Sequence, residues 1–251
     1  MRVNGAVARL GDSADAAHDA IEVDGKRLRI EEPAYWMVHK PRGFVTTRRD
    51  PERRPTVLDL LPPEARRLRL FPVGRLDLDS EGLVLLTNDG ALAQRLLHPS
   101  FESEKEYRVT ARGDPSPSVL RSLAAGLHLE PGEGRTAPVR VVVLSRDAAR
   151  REVRLSLVLR EGRKRQIRRS LARLGHPVTR LVRVRMGPLL LRGVPPGGAR
   201  ALTAAERARL LAHAAELARG AQVPAQTGAR AAESAARRKA RQKSRGRHRG
   251  R

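Results

Sequence analysis

The chain has 251 residues, and its 51 Lys and Arg against 27 Asp and Glu give a formal charge of +24, a balance that calls for a polyanionic partner: RNA, DNA or anionic lipid. It has no cysteine, which excludes disulfides and thiolate metal sites, and its seven His show no metal-ligating pairing, so no metal is expected. Only 2% of its residues are aromatic, too few to stack base after base; no apolar run would span a bilayer, and the N-terminus lacks a signal-peptide core, so a cytoplasmic protein without a membrane partner is expected.

Residues 1–32 contain two short extended pieces, each with a tight-turn signal, Asn4-Gly5 and Asp24-Gly25. About thirty residues cannot bury a core of their own. This piece packs on something else, or it is the remnant of a larger unit. The body, residues 33–218, opens with Tyr35 to Val38, which read as a buried strand. An apolar run from Phe71 leads into Gly74, Arg75 and Asp77 follow two residues apart, and Gly82 opens a second apolar run, Leu83 to Leu86. Side chains alternate along extended backbone, so Arg75 and Asp77 are expected on one face of it.

Asp89 is expected to cap a helix carrying Leu92, Leu96 and Leu97, ending before Pro99. Lys105 to Ala111 alternates as a strand, with Tyr107, Val109 and Ala111 on one face. Asp114 is expected to cap a second helix, with Val119 and Leu123, that stops at Gly126. Val139 to Leu144 and Val153 to Leu159 read as strands joined by the polar stretch Ser145 to Glu152. A third helix is placed over Lys164 to Leu174, with Ile167, Leu171 and Leu174 inward. A fourth starts at the capping box Thr203-Ala204-Ala205-Glu206 and ends at Gly220. Strands outnumber helices and several neighbours look hairpin-linked, which argues for an α+β fold with largely antiparallel sheet. Residues 219–251 hold eleven Lys or Arg and one acid, Glu233; this basic tail is expected to be disordered.

Gly132 to Ala137 matches a dinucleotide-binding fingerprint, but Pro138 and a strand follow where that motif needs a helix, so it reads as a turn. No phosphate-binding GxxxxGK[ST] loop occurs. Asp77 reads as a turn cap when taken alone. In a chain that draws phosphates to its surface, a carboxylate beside Arg75 also suits action on an electron-poor sugar carbon. The run Glu161 to Arg169 reads as a solvated basic helix face, with Lys164, Arg165 and Arg169 gripping phosphate. Arg168, next to the inward Ile167, is placed to pair with a buried Asp through its planar fork. Tyr107 reads either as a core aromatic or as a platform for an unstacked base.

These pieces occur in a recognisable order: His39-Lys40-Pro41-Arg42-Gly43-Phe44-Val45-Thr46, Gly74-Arg75-Leu76-Asp77, Lys105 to Val109, Glu161 to Arg168, Leu174 to Val178, Leu181 to Leu189, and Gly193 to Gly198 followed by Arg200-Ala201-Leu202. Together they resemble the bacterial ribosomal RNA pseudouridine synthases of the small-subunit synthase A and large-subunit synthase B group, over about residues 33–210. The resemblance implies a pseudouridine synthase fold: a curved, mixed but mainly antiparallel sheet with flanking helices and a central cleft. It implies an isomerase that needs no cofactor or metal and acts on a uridine of ribosomal RNA, more readily 23S than 16S; a monomer is expected, though nothing in the sequence reads out oligomeric state. Asp77 matches the catalytic aspartate, Tyr107 the tyrosine against the base, Arg168 the basic partner of the aspartate, and Arg75 the arginine that evicts the uridine. Lys40, Arg42, Arg163, Lys164, Arg165 and Arg169 are expected to contact RNA.

Residues 1–32 resemble only the second half of the small S-four-type RNA-binding module that usually opens this group. Either the start lies further upstream, or RNA docks mainly through body and tail. Two rivals are a non-catalytic ribosome-assembly factor on the same scaffold and a DNA-associated basic protein.

Overall fold

A computed structural model describes residues 1–15, 18–28, 31–98 and 103–221. The tail beyond Ala221 lies outside the described residues. At the N-terminus, β1 (Arg2–Val3) and β2 (Ala6–Val7) form one hairpin, and β3 (Ile21–Val23) and β4 (Lys26–Arg27) form another. Pairing of β1 with β3 joins them into a four-stranded sheet. Both hairpin turns need positive φ at two successive residues, 51° and 82° at Asn4-Gly5 and 49° and 74° at Asp24-Gly25. Those are the residue pairs that adopt such turns most easily. No residue of these four strands is fully buried, in keeping with a unit too small for a core.

The body is built on a nine-stranded sheet. It starts with β5 (Tyr35–Lys40), then a 3₁₀ turn (Val57–Leu60), the short α1 (Pro63–Arg66), β6 (Phe71–Val73) and β7 (Glu81–Thr87). Next come α2 (Gly90–Leu97), β8 (Lys105–Arg112), α3 (Pro117–Ala125), β9 (Arg140–Asp147), β10 (Glu152–Leu159) and α4 (Gln166–Arg173). The body ends with β11 (Val178–Met186), β12 (Leu189–Leu190), β13 (Ala199–Ala201) and α5 (Ala204–Ala221). Strand order is β13-β5-β7-β11-β8-β10-β9, with β6 beside β7 and β12 beside β11.

The named strand pairs are antiparallel except β7–β11, which is parallel over only Glu81↔Val182 and Gly82↔Arg183. By contrast, β8 and β10 pair over eight residues each. Two well-zipped half-sheets therefore meet at a short seam. Gly82 makes that seam possible. Its φ is +112°, and a Cβ there would lie 2.3 Å from the Arg183 carbonyl oxygen and 2.5 Å from its nitrogen. Only a residue without a side chain lets the two backbones approach so closely.

Three clusters hold the layers together. One packs α2 and α5 against β5 and β7 through Met37, Leu83, Leu85, Leu92, Leu96 and Leu210. On the other face of that half-sheet, Val38, Val84 and Leu86 meet Val57, Leu61 and Leu70 of the segment leading to β6. The second half-sheet packs Val109, Leu155 and Leu157 against Leu123 of α3 and Ile167 and Leu171 of α4. Tyr107 borders the last two clusters.

Several helix ends differ from expectation. Asp89 caps α2 as expected, its carboxylate accepting from Leu92 N at 2.9 Å, but Leu97 stays 45% exposed. Ser116, not Asp114, caps α3, and Pro117 takes the first helical position. Asp114 pairs instead with Arg146. Helix α4 begins two residues late because Arg165 adopts a left-handed conformation, with φ 50° and ψ 32°. At α5 the capping box forms, with Thr203 N donating to Glu206 and Glu206 N to Thr203 Oγ1. Gly132 has positive φ in a turn, and the chain runs on into β9, as the turn reading required.

Candidate active site

Strand β6 ends at Val73, and the chain turns through Gly74 (φ +77°) into an irregular loop carrying Arg75, Asp77, Asp79 and Ser80. Arg75 and Asp77 thus share a side of the chain through a loop rather than along a strand. The loop is held from behind by the segment that follows β5. Thr46, 7% exposed, donates its hydroxyl to Leu76 O (2.9 Å) and accepts from Leu76 N (3.2 Å). Gly43 N donates to Leu78 O at 3.0 Å. The Lys40 ammonium, fully buried, donates to Ser80 O (2.8 Å), Pro41 O (3.0 Å) and Leu78 O (3.5 Å). Burial pushes Lys40 down to about 8, against the opposing pull of Asp79, Asp77 and Glu81. Lys40 was expected to bind RNA. It is instead an internal staple that ties the turn to β5.

From the opposite side come the arginines of the Glu161–Arg169 run. Arg165 forks onto Asp79, at 3.1 Å to Oδ1 and 2.9 Å to Oδ2, and lies 3.7 Å from Asp77 Oδ2. This pairing holds the Asp79 carboxyl below the usual carboxylate range. Arg168, expected to pair with Asp77, pairs with Asp79 instead. Its Nε lies 3.3 Å from Asp79 Oδ2 without hydrogen-bond alignment, and its Nη2 donates to Asp79 O (2.8 Å) and Ser80 Oγ (3.3 Å). The left-handed turn at Arg165 brings the start of α4 up to the loop, and Arg168, one turn on, reaches the backbone behind it. Two guanidiniums are therefore committed to Asp79, while the Asp77 carboxylate, with its side chain 38% exposed, accepts no hydrogen bond from the described residues. Asp79 had not been recognised from sequence. Its signal was the repeat Asp77-Leu78-Asp79 facing a run of cations.

Asp77 opens on a cleft of about 200 Å³ that also carries Arg75, Tyr107, Leu159, Arg165 and Leu181. Tyr107 stands on β8, paired in register with Arg183 of β11, at the edge where the two half-sheets meet. Arg183 is 2% exposed; its Nε donates to Leu83 O at 2.7 Å and its Nη2 has no partner. It had not been singled out, since its signal was only one arginine among several in β11. Below the loop, Glu81 accepts a two-pronged contact from Arg180 (3.1 and 3.0 Å) and one from Arg42 (3.1 Å), which ties the seam together.

The other cations expected at RNA divide into two sets. Arg75 and Lys164 are exposed, and both line the cleft. Arg163 turns inward, donating to Gly134 O (2.5 Å), Arg135 O (2.6 Å) and Glu161 (3.2 Å). Arg169 pairs with Glu130 and Glu133, each at 3.0 Å, and Arg42 donates to Thr179 O at 2.6 Å as well as to Glu81. Glu161 also accepts from Ala137 N and Gln166, so the first half of the Glu161–Arg169 run is a brace for the loop before β9.

Comparison with known proteins bears on this geometry. Residues 34–173 match the model of a family described as RNA pseudouridylate synthase. Ribosomal large subunit pseudouridine synthase B of Bacillus subtilis is 41% identical over 213 residues, covering 84% of this chain and 85% of that protein. The protein of the same name from Pseudomonas aeruginosa is 42% identical over 196 residues, 76% of this chain but only 50% of that protein. A crystal structure of a pseudouridylate synthase superposes with a TM-score of 0.63 at 30% identity, covering 83% of this chain and 87% of that one. The sheet with its central cleft is therefore a pseudouridine synthase fold, and the chain belongs to the RNA pseudouridylate synthase family of isomerases.

Proposed function

We propose that this chain converts a specific uridine of ribosomal RNA, in the large subunit, to pseudouridine, with Asp77 as its catalytic carboxylate. The target follows the relatives named for the large subunit. The observation that carries the role of Asp77 is the division of labour between two neighbouring carboxylates. Asp79 is occupied by Arg165 and Arg168, whereas the Asp77 carboxylate faces the cleft with no hydrogen bond from the described residues and only the 3.7 Å ion pair to Arg165. A group that must act on a substrate has to be free to do so, and its neighbour supplies the rigid support.

In the reaction the bond from the ribose to ring nitrogen 1 breaks and a bond to ring carbon 5 forms. Carbon 5 gives up its proton and nitrogen 1 gains one, so no oxidant or group donor is consumed. Inside a helix the uridine is out of reach, so it leaves the stack, at a cost of a few kcal/mol that contacts in the cleft offset. Tyr107 offers a ring face for the extruded base, and Arg75, exposed at the same opening, fills the place the base leaves or grips its phosphate. Arg165 steadies Asp77 at 3.7 Å as an ion pair. Lys164 adds a phosphate contact at the rim.

The test is Asp77→Asn. We expect pseudouridine in transcribed large-subunit ribosomal RNA to fall below detection, with the unfolding midpoint and RNA affinity close to wild type. Activity retained in this variant would remove Asp77 from the chemistry. A pseudouridine map that is unchanged in a strain lacking the gene would favour the non-catalytic assembly factor.

A further inference from the structure

Helices α3 and α4 cover only one face of the second half-sheet. On that sheet Val109, Ala111, Val153, Leu155, Leu157 and Leu181 point inward, so the residues between them stand on the opposite face, where Arg108, Arg154 and Arg180 are exposed while Ser156 and Val158 further along are buried. Strand register arranges the residues there in rows. Arg180 of β11, Thr110 of β8, Arg154 of β10 and Ser145 of β9 are consecutive partners across the sheet. The next row is Val182, Arg108, Ser156 and Val142. Strand spacing puts the Arg180 and Arg154 backbones about 10 Å apart, and Arg108 lies about 7 Å along from their row.

Two adjoining hollows of about 590 and 470 Å³ open on this face and share Thr110, Ser145, Arg154 and Arg180. Both are larger than the cleft at Asp77. Arg154 is exposed and has no acidic partner among the described residues, and Arg108 comes no nearer than 3.8 Å to Glu106. The acids of the hollows, Asp147 and Glu152, are confined to the larger one, so the smaller carries three arginines and no carboxylate. Val142 and Leu144 are 49% and 43% exposed beside them. The face lies on the side of the sheet away from the cleft and is linked to the active-site loop at the seam: Arg180 and Arg42 share Glu81, which directly follows Ser80 of the Asp77 loop.

The geometry points to a second RNA-binding surface on the uncovered face of β8–β11, where Arg108, Arg154 and Arg180 hold the phosphates of a strand that runs past the flanking structure of the target uridine. Charge complementarity selects this occupant. Separate guanidiniums spaced on the scale of nucleotide steps, with hydroxyls between them and aliphatic side chains alongside, suit a sugar–phosphate backbone, as does the charge of +24 on the chain as a whole. Arg180 does double duty, fixing Glu81 within the fold and presenting its remaining edge outward. This inference rests on RNA being the substrate, but it concerns grip rather than chemistry.

The test uses the full chain with Arg108→Gln and Arg154→Gln together, both at exposed positions whose replacement leaves the core intact. Binding to transcribed, protein-free large-subunit ribosomal RNA is titrated across potassium chloride concentrations, and pseudouridine formation is followed on the same RNA. Each lost phosphate contact lowers the slope of log affinity against log salt by roughly 0.7–0.9, so the double variant is expected to lose about 1.5. KM should rise and kcat should stay at the wild-type value. A slope equal to wild type overturns the inference even if wild type makes pseudouridine. So does a defect seen only on assembled subunits, which would make the face a protein-docking surface. A reduced slope in preparations where neither protein makes pseudouridine would support the surface while refuting the proposed activity.

Discussion

Replacing Thr46 with Val tests how the active-site loop is held. The two side chains have nearly the same shape, and Thr46 is buried, so the change removes a hydroxyl and little else. That hydroxyl satisfies both Leu76 N and Leu76 O, inside the fold and one residue before Asp77. Leaving a buried donor or acceptor unpaired costs about 1–3 kcal/mol. With two groups orphaned and a small gain from the added methyl, the net loss is about 2–4 kcal/mol. With m near 2–3 kcal/mol/M, the urea midpoint should fall by about 1 M. A loop freed at Leu76 no longer fixes Asp77, and a displacement of about 1 Å costs on the order of 10²-fold in rate. We therefore expect kcat, measured as proton release from carbon 5 of the uridine, to drop by about that factor while RNA affinity holds. Thr46→Ser keeps the hydroxyl and should lose less than about 1 kcal/mol, the value of one buried methyl, with near-normal kcat. A destabilised Thr46→Val protein with wild-type kcat would refute the reasoning, because the loop would then be positioned by something else.

Two further outcomes follow from the fold. Gly82→Ala should open the seam between the half-sheets: positive φ alone costs about 1–2 kcal/mol, and the new Cβ meets Arg183 backbone at 2.3 Å, so a thermal midpoint at the wild-type value would disprove the close approach. Glu206, tied to Arg200 at 2.7 and 2.8 Å and to the start of α5, has its pKa brought from 4.5 to about 2. Its stabilisation is therefore fully present above pH 4.5 and fades as pH falls from 4.5 to 2. Glu206→Gln should cost roughly 2–3 kcal/mol at pH 7, and its stability should converge on wild type only as pH approaches 2. A constant difference across that range would refute the pairing.

Much of the site was legible because the chemistry clusters in short runs. Gly74 to Asp77 and Lys105 to Val109 each carry their candidate residue on a recognisable turn or strand, and both Asp77 and Tyr107 do face one cleft. The roles of the cations were less legible. Lys40, Arg42 and Arg163 look alike in sequence, yet one is a buried staple, one shares Glu81, and one braces a loop. A charge count says nothing about which carbonyls lie within reach of each. Arg168 was assigned to Asp77, but the left-handed residue at Arg165 shifts the start of α4, so Arg165 meets Asp77 while Arg168 reaches behind the loop to Asp79 and Ser80.

By itself the sequence determined most of the strands (though not β11, β12 or β13), two of the three N-caps it proposed, the turn residues and the attraction to a polyanion, since alternation, capping chemistry and net charge are local or additive properties. Only the tertiary structure decided which of two aspartates stays free, how Gly82 lets two half-sheets meet, and which sheet face remains uncovered. Those outcomes depend on backbones and charges far apart in the chain coming within a few ångströms, and no local pattern encodes such an approach.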